Sequence, residues 1–451
     1  MNAVKVYSRT ESVCPVCLSR VDAEIIREGD CSYLVKSCPE HGAFSTLIWE
    51  GSPEIESWCG ERNSFDKVLQ PSEGEGCPYE CGICPEHQQH SCCVLLEVTQ
   101  RCNLKCPVCF AEAGSAHSVD PVMSQIQAWY EMLLSKGGPF NIQLSGGEPT
   151  MRDDLPEIIS LGKKMGFVFF QVNTNGIRLA EDSSYCERLA KAGLNCVFLQ
   201  FDGLKDSIYK ALRGRALLEQ KIRAIENCKQ AGIGVVLVPT VVKGINDLEL
   251  GEIIDFAAHN MPIVRGVHFQ PISHFGRYPE SFSDERMTIP ELLRGIEKQT
   301  NGGIKASAFI PPSSEHPLCS FNGKFTLQKE GHFKSISEFG KSKSCCCSVE
   351  TPAESAMKYV ARQWSAPKLN TLEVVQPEQT ISLIPDLTSL DDFLEQAKMT
   401  LAISGMAFQD AWTLDLKRLK SCHIHVVSQK GDLIPFCAYN LTSKDGKSLY
   451  R

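Results

Sequence analysis

Six short apolar runs alternate with amphipathic stretches between Cys93 and His274, and no other feature limits the possible folds so tightly. The runs are Val94–Val98, Asn141–Leu144, Phe167–Val172, Cys196–Phe201, Gly234–Val238 and Val267–Pro271. Between them, segments such as Pro156–Met165, Ser184–Ala192 and Glu219–Ala231 are apolar on one face and charged on the other. Gly166, Gly193 and Gly232 follow these segments, as helix C-caps do. Continuous apolar strands separated by helices predict a parallel sheet covered by helices. Six such units predict an α/β fold, a partial (β/α)6 TIM-like barrel with its chemistry at the carboxyl ends of the strands.

The chain is too long, at 451 residues, for one ordinary core. Its 22 cysteines divide it: thirteen lie in residues 1–109, three in 110–310 and six in 319–451. This distribution predicts cysteine-rich metal-binding extensions on both sides of the barrel. The expected boundaries are 1–65 for a mononuclear metal domain, 66–92 for an auxiliary iron–sulfur segment, 93–275 for the barrel and 276–451 for a C-terminal cluster and substrate domain. Met1–Glu11 has no apolar run of the signal-peptide kind, and Val235–Val242 is too short to cross a bilayer. A cytoplasmic location and metal ligation, rather than disulfides, are therefore expected. The net charge of −8 disfavours broad binding to a phosphate backbone. So much iron–sulfur would make the protein oxygen-sensitive, so an anaerobic host is expected.

The first run leads into Cys102-Asn-Leu-Lys-Cys106-Pro-Val-Cys109-Phe110. Three cysteines in one loop can hold three corners of a 4Fe–4S cube and leave the fourth iron open. A zinc knuckle is the competing reading, and it wants a fourth ligand nearby. One strand–helix unit later comes Ser145-Gly146-Gly147-Glu148-Pro149, whose glycines permit close backbone approach and whose Glu148 offers an acceptor for a cationic amine. Together these motifs resemble the radical S-adenosylmethionine (SAM) superfamily. The resemblance implies that Ser145–Pro149 binds the SAM amino group. It implies that Asn173, Asn175, Gln200, Asp202 and Thr240 hold the ribose, adenine and methionine parts, and that Arg213 pairs with the carboxylate. Val108 stands where the family has an aromatic residue, and Phe110 is expected to supply the ring. The implied chemistry is reductive cleavage of SAM to a 5′-deoxyadenosyl radical, which removes hydrogen from a substrate carbon.

Cys14, Cys17, Cys31 and Cys38 suit one tetrahedral ion, structural zinc or rubredoxin-type iron, with His41 able to replace Cys31. Cys77, Cys81 and Cys84 repeat the spacing of the first loop and are read as an auxiliary cluster, which Cys92 or Cys93 completes, with Cys93 assigned. Cys319, Cys347, Cys422 and Cys437 are expected to ligate another. His423 and His425 read as polar surface or core-edge residues, and Cys186, Cys196 and Cys228 as buried apolar ones. These motifs, with Gly405–Ala411 and Ile434–Asn440, extend the resemblance to the branch of tetraether lipid synthases and hydroxymethylpterin methyltransferase-like proteins, nearest to the bacterial TrsS group. The expected partners are SAM, a lipid or small-molecule substrate, and a low-potential donor of the flavodoxin or ferredoxin type. The reaction is C–C coupling or methylation. An iron–sulfur electron carrier and a zinc-ribbon binding protein are the alternatives.

Overall fold

The computed structural model describes residues 5–60, 74–82, 84–114, 119–279, 286–328, 332–337, 339, 351–367 and 399–451. The first unit is an antiparallel meander of β1 (Lys5–Val13), β2 (Arg20–Glu28), β3 (Cys31–Cys38) and β4 (Gly42–Glu50). The second is a curved sheet whose central strands are parallel. They are β5 (Cys93–Thr99), β6 (Asn141–Gly146), β7 (Phe170–Thr174), β8 (Cys196–Gln200), β9 (Gly234–Val238) and, after the short β10 (Thr240–Val241), β11 (Val264–Pro271). These six occupy the six expected runs. Val94, Leu96 and Val98 of β5 and Ile142 and Leu144 of β6 turn outward into the core shared with the helices. Each such fully buried side chain contributes about 1.5–3 kcal/mol.

Among the described residues, the C-terminal strands join the barrel sheet. β12 (Ser320–Leu327), β13 (Phe333–Ser335) and β14 (Thr400–Met406) extend one edge, β14 lying parallel to β11. β15 (Ile424–Val427) and β16 (Leu433–Pro435) extend the other, β15 lying parallel to β5. The sheet order is β13-β12-β14-β11-β9-β8-β7-β6-β5-β15-β16, so the barrel stays open.

The helix Pro352–Trp364 closes the lower end of the interior. Its Val360, Ala361 and Trp364 pack on Phe169, Cys196, Phe198, Val236 and Val238. Arg265 donates to the Gln363 carbonyl at 2.9 Å, and Asn141 to that of Met357 at 3.1 Å. With that end plugged, the carboxyl ends of the strands are left to carry a site. No helix among the described residues is long and apolar enough to cross a membrane.

Candidate active site

Cys102, Cys106 and Cys109 lie on the loop leaving β5, all partly buried. Burial pushes the Cys102 thiol up to about 12 and raises Cys106 as well, the latter opposed by the nearby Arg213 and Lys221 cations. The loop is fastened along its length. Gly147 N–H donates to the Thr99 carbonyl at 2.7 Å and Glu148 N–H to that of Arg101 at 2.8 Å. Cys109 exchanges two backbone hydrogen bonds with Arg277, whose Nε also donates to the Cys106 carbonyl at 2.9 Å. A cubane holds its thiolates farther apart than a single ion does. Three partly buried thiols on one clamped loop fit that group and leave one iron for another ligand.

Gly146 and Gly147 are required by this clamp. Gly146 has φ +117°, and a Cβ on it would stand 2.1 Å from the Thr99 carbonyl oxygen; one on Gly147 would stand 2.3 Å from that of Arg101. The close approach is to the cysteine loop itself. Gly147→Ala is therefore expected to push the loop off its seat at a cost of about 1–3 kcal/mol. Iron retained after reconstitution should fall severalfold at Cys102–Cys109, with metal at the N-terminal site unchanged.

Three residues expected at the ligand have close protein partners. Glu148 is 1% exposed, and its oxygens accept from Thr150 N (3.1 Å), Thr150 Oγ1 (2.6 Å), Thr174 Oγ1 (2.6 Å) and Asn175 N (2.7 Å). It braces the ends of β6 and β7. Asp202 is fully buried and bound bidentately by Arg213 at 2.7 and 2.8 Å, with Gln200 and the Thr240 N–H completing its shell. Arg213 also donates to Thr240 Oγ1 (2.9 Å) and to the Val108 carbonyl (3.1 Å). That guanidinium holds the cysteine loop through Val108.

Asn173 and Ser145 face the interior with Gln143 and Gln171. Asn173 Oδ1 accepts from Gln143 at 2.7 Å and Gln171 at 3.1 Å, and its amide reaches Ser145 Oγ at 3.5 Å. Asn175 donates to Asn103 Oδ1 of the cysteine loop at 2.7 Å. Pro149 opens a short 3-10 turn and is buried. Phe110 is 37% exposed, its ring 5.7 Å from that of Phe436, which also meets Phe408 and Phe275. Val108 is buried with Ile208, Leu212 and Val242.

Two contributors escaped the sequence reading. Glu97 of β5 is held by Arg451, by Tyr439 Oη at 3.1 Å and by Gln100 at 2.8 Å. Lys221 is fully buried, and its Nζ donates to the Asn175 carbonyl at 2.6 Å and to Gln200 Oε1 at 2.7 Å. Its signal was a lysine on the apolar stripe of the helix Leu218–Ala231, beside Ala224, Ile225 and Cys228.

The N-terminal thiols converge without Cys31. Ligand atoms of Cys14, Cys17, Cys38 and His41 lie within 4.8 Å of one another. Cys14 Sγ and Cys38 Sγ stand 3.7 and 3.5 Å from His41 Nδ1, and Cys17 Sγ stands 3.9 Å from Cys38 Sγ. Ligands about 2.3 Å from a tetrahedral ion are about 3.8 Å apart, which matches. The hydrogen bond with His41 lowers the Cys38 thiol to about 6 despite burial. Cys31 opens β3 at the opposite end from Cys38, so His41 takes its place.

Cys77 and Cys81 share a hydrogen bond that raises the first thiol and lowers the second, and Cys84 is a neighbour of Cys81. Cys93 Sγ turns into the barrel, 3.6 Å from Gln143 Oε1, and Cys93 packs, as Cys81 does, on the apolar cluster that includes Cys77. Cys92 N–H donates to the carbonyl of His423, next to Cys422. Burial raises the Cys92 and Cys422 thiols, with Cys93, Glu315 and Cys422 adding to the first and Cys437 and Cys319 to the second. Cys347 lies outside the described residues.

The profile of the radical SAM superfamily matches residues 96–257, and that of the HMPTM N-terminal zinc ribbon domain matches residues 6–50. The 7,8-dihydro-6-hydroxymethylpterin dimethyltransferase of Methanocaldococcus jannaschii is 36% identical over 481 aligned positions, covering 96% of this chain and 93% of its own length. A probable GTP 3′,8-cyclase of Thermococcus kodakarensis is 31% identical over 256 positions, covering 53% of this chain and 82% of its own. Among solved structures, SuiB of Streptococcus suis bound to the precursor peptide SuiA superposes with TM-score 0.41 at 18% identity, covering 48% of this chain and 46% of its own. Methylornithine synthase superposes with TM-score 0.36 at 17% identity, covering 47% and 64%.

Proposed function

The chain belongs to the radical SAM superfamily, and from that premise we propose that it methylates a carbon of a reduced, pterin-like heterocycle. The near-full-length likeness to the pterin dimethyltransferase carries this reading. The interior chemistry supports it. Gln143, Gln171 and Asn173 form a chain of side-chain amides on the inner faces of β6 and β7, which suits a compact, heteroatom-rich substrate better than a lipid chain. Phe110, Phe408 and Phe436 offer ring faces at the same end.

A cluster on Cys102, Cys106 and Cys109 supplies, when bound, the electron that cleaves SAM to methionine and the radical that removes hydrogen. The chain's own groups position the reactants. Glu148 and Thr174 lock the ends of β6 and β7, Arg213 and Arg277 hold the cysteine loop, and the helix Pro352–Trp364 closes the floor against water. Asn173 and Asn175 stay assigned to SAM. Gln200 and Thr240 act on it through the polar scaffold they share with Asp202.

Cys77, Cys81 and Cys84 are read as one auxiliary cluster, and Cys92, Cys319, Cys422 and Cys437 as the ligands of a second. The N-terminal ion is read as zinc, since one imidazole among three thiolates suits zinc better than a rubredoxin-type iron. The electron donor is read as a low-potential flavodoxin or ferredoxin type and the location as the cytoplasm. The test is anaerobic turnover of methyl-deuterated SAM with 7,8-dihydro-6-hydroxymethylpterin and dithionite, in which one SAM is cleaved to methionine and the radical, a second gives up its methyl group and leaves as S-adenosylhomocysteine, and dithionite supplies the two electrons. Deuterated methyl groups on the pterin are expected. Formation of 5′-deoxyadenosine without pterin product, with product from an isoprenoid-like lipid instead, would replace this substrate reading.

The zinc assignment gives a further expected result. Thr10 Oγ1 donates to Asp415 at 2.5 Å, Ser12 Oγ to the Leu414 carbonyl at 2.5 Å, and buried Lys36 to the Ala411 carbonyl at 2.7 Å. The ribbon thus buttresses residues 410–415. Cys38→Ala should release one zinc per chain, measured by elemental analysis, and make the ribbon the first segment cut in limited proteolysis. Structural zinc is worth about 10–16 kcal/mol to such small units.

A further inference from the structure

Lys221 occupies a position where an amphipathic helix ordinarily carries an aliphatic residue. A buried ammonium is costly unless its charge and protons are used. Here both are. One proton goes to the Asn175 carbonyl, and the Asn175 side chain goes on to Asn103. Another goes to Gln200 Oε1, whose amide goes on to Asp202, then Arg213, then the Val108 carbonyl. Asn103 and Val108 bracket Cys106, so two polar arms that start on Lys221 end on either side of that thiol.

Lys221, Arg213 and Arg277 are the cations that reach the loop or its supports, and Asp202 and Glu148 are the buried carboxylates among them. Without the Lys221 charge, a loop carrying three thiolates would lose one of these three cations. Adding an electron to a cluster there would then be disfavoured, because the low-dielectric surroundings screen little.

We propose that Lys221 is a positioning residue for the cysteine-loop cluster, joining the two arms that hold the loop and supplying the charge that lets the cluster accept an electron. This rests on the radical SAM reading of the loop. The step is a one-electron reduction of the bound cluster by dithionite or a low-potential carrier protein, with no bond made or broken.

The test is a potentiometric titration of the reconstituted holoenzyme, following the reduced-cluster EPR signal that changes shape when SAM is added. Lys221→Met removes the charge at nearly constant volume. Lys221→Gln keeps a hydrogen-bond donor at that position and carries no charge. Both variants should lower the ratio of reduced to oxidised cluster at least tenfold at a fixed potential, equivalent to 59 mV for one electron. A lysine that only holds the loop predicts no shift in Lys221→Gln. Full cluster content with the wild-type potential in either variant overturns the proposal. If Lys221→Met does not load the cluster, Lys221→Gln decides alone: a tenfold shift supports the proposal, and an unchanged potential or wild-type loading with no shift rejects it. A wild-type enzyme with no SAM-responsive signal would instead reject the underlying reading of the loop.

Discussion

Alanine at Cys102, Cys106 or Cys109 is expected to lower 5′-deoxyadenosine formation to the background of the uncatalysed mixture. Iron should fall by about four atoms per chain, the content of one cubane. Zinc at Cys14, Cys17, Cys38 and His41 should stay, because that site sits on the separate β1–β4 meander. Cys81 is tied to Tyr450 and to Cys77, and among the described residues no backbone hydrogen bond joins Cys77, Cys81 or Cys84 to the loop, so their iron should stay too. Iron and product analysis on the same preparation separates loss of one centre from general collapse. Loss of all iron would show that the centres assemble interdependently.

The second large effect is expected at Asp202. Arg213 and Asp202 form a buried bidentate pair, 8% and 0% exposed, that receives the Thr240 N–H and connects through Val108 to the cysteine loop. Removing one member of such a pair leaves the other charged, buried and unmatched, at a cost of about 3–5 kcal/mol. Asp202→Ala should therefore shift the denaturant midpoint of the barrel strongly and release the loop. Asp202→Asn, which keeps the shape but accepts less well, should cost about 1–3 kcal/mol. Denaturant unfolding followed by barrel tryptophan fluorescence, alongside cluster content, measures both. Equal stability in Asp202→Ala and the parent would mean that the pair does not support the site.

Much of this was legible in the sequence because it is local. The six barrel strands announce themselves as apolar runs, and the cysteine loop and Gly146-Gly147-Glu148-Pro149 are contiguous. Non-local pairings were not legible. Nothing within Thr400–Met406 or Ile424–Val427 says that the first pairs with β11 and the second with β5, at opposite edges of one sheet. Cys92 and Cys93 are equivalent in a string of letters, and only the folded backbone seats the Cys92 N–H on His423 and sends the Cys93 thiol toward Gln143. Cys31 matched a four-thiol pattern, but an eight-residue strand carries it away from Cys38. Glu148, Asp202 and Arg213 were found as residues, but their protein partners were not legible: Asp202 and Arg213 pair with each other, and Glu148 accepts from Thr150, Thr174 and Asn175.

The central claim is that the loop after β5 carries a cluster that cleaves SAM reductively. Its most direct measurement is anaerobic reconstitution with iron and sulfide, followed by incubation with SAM and dithionite and quantification of 5′-deoxyadenosine and methionine. The account predicts both products in equal amounts from the parent protein and neither from Cys102→Ala. Absence of 5′-deoxyadenosine from a parent protein whose clusters are spectroscopically intact would contradict it.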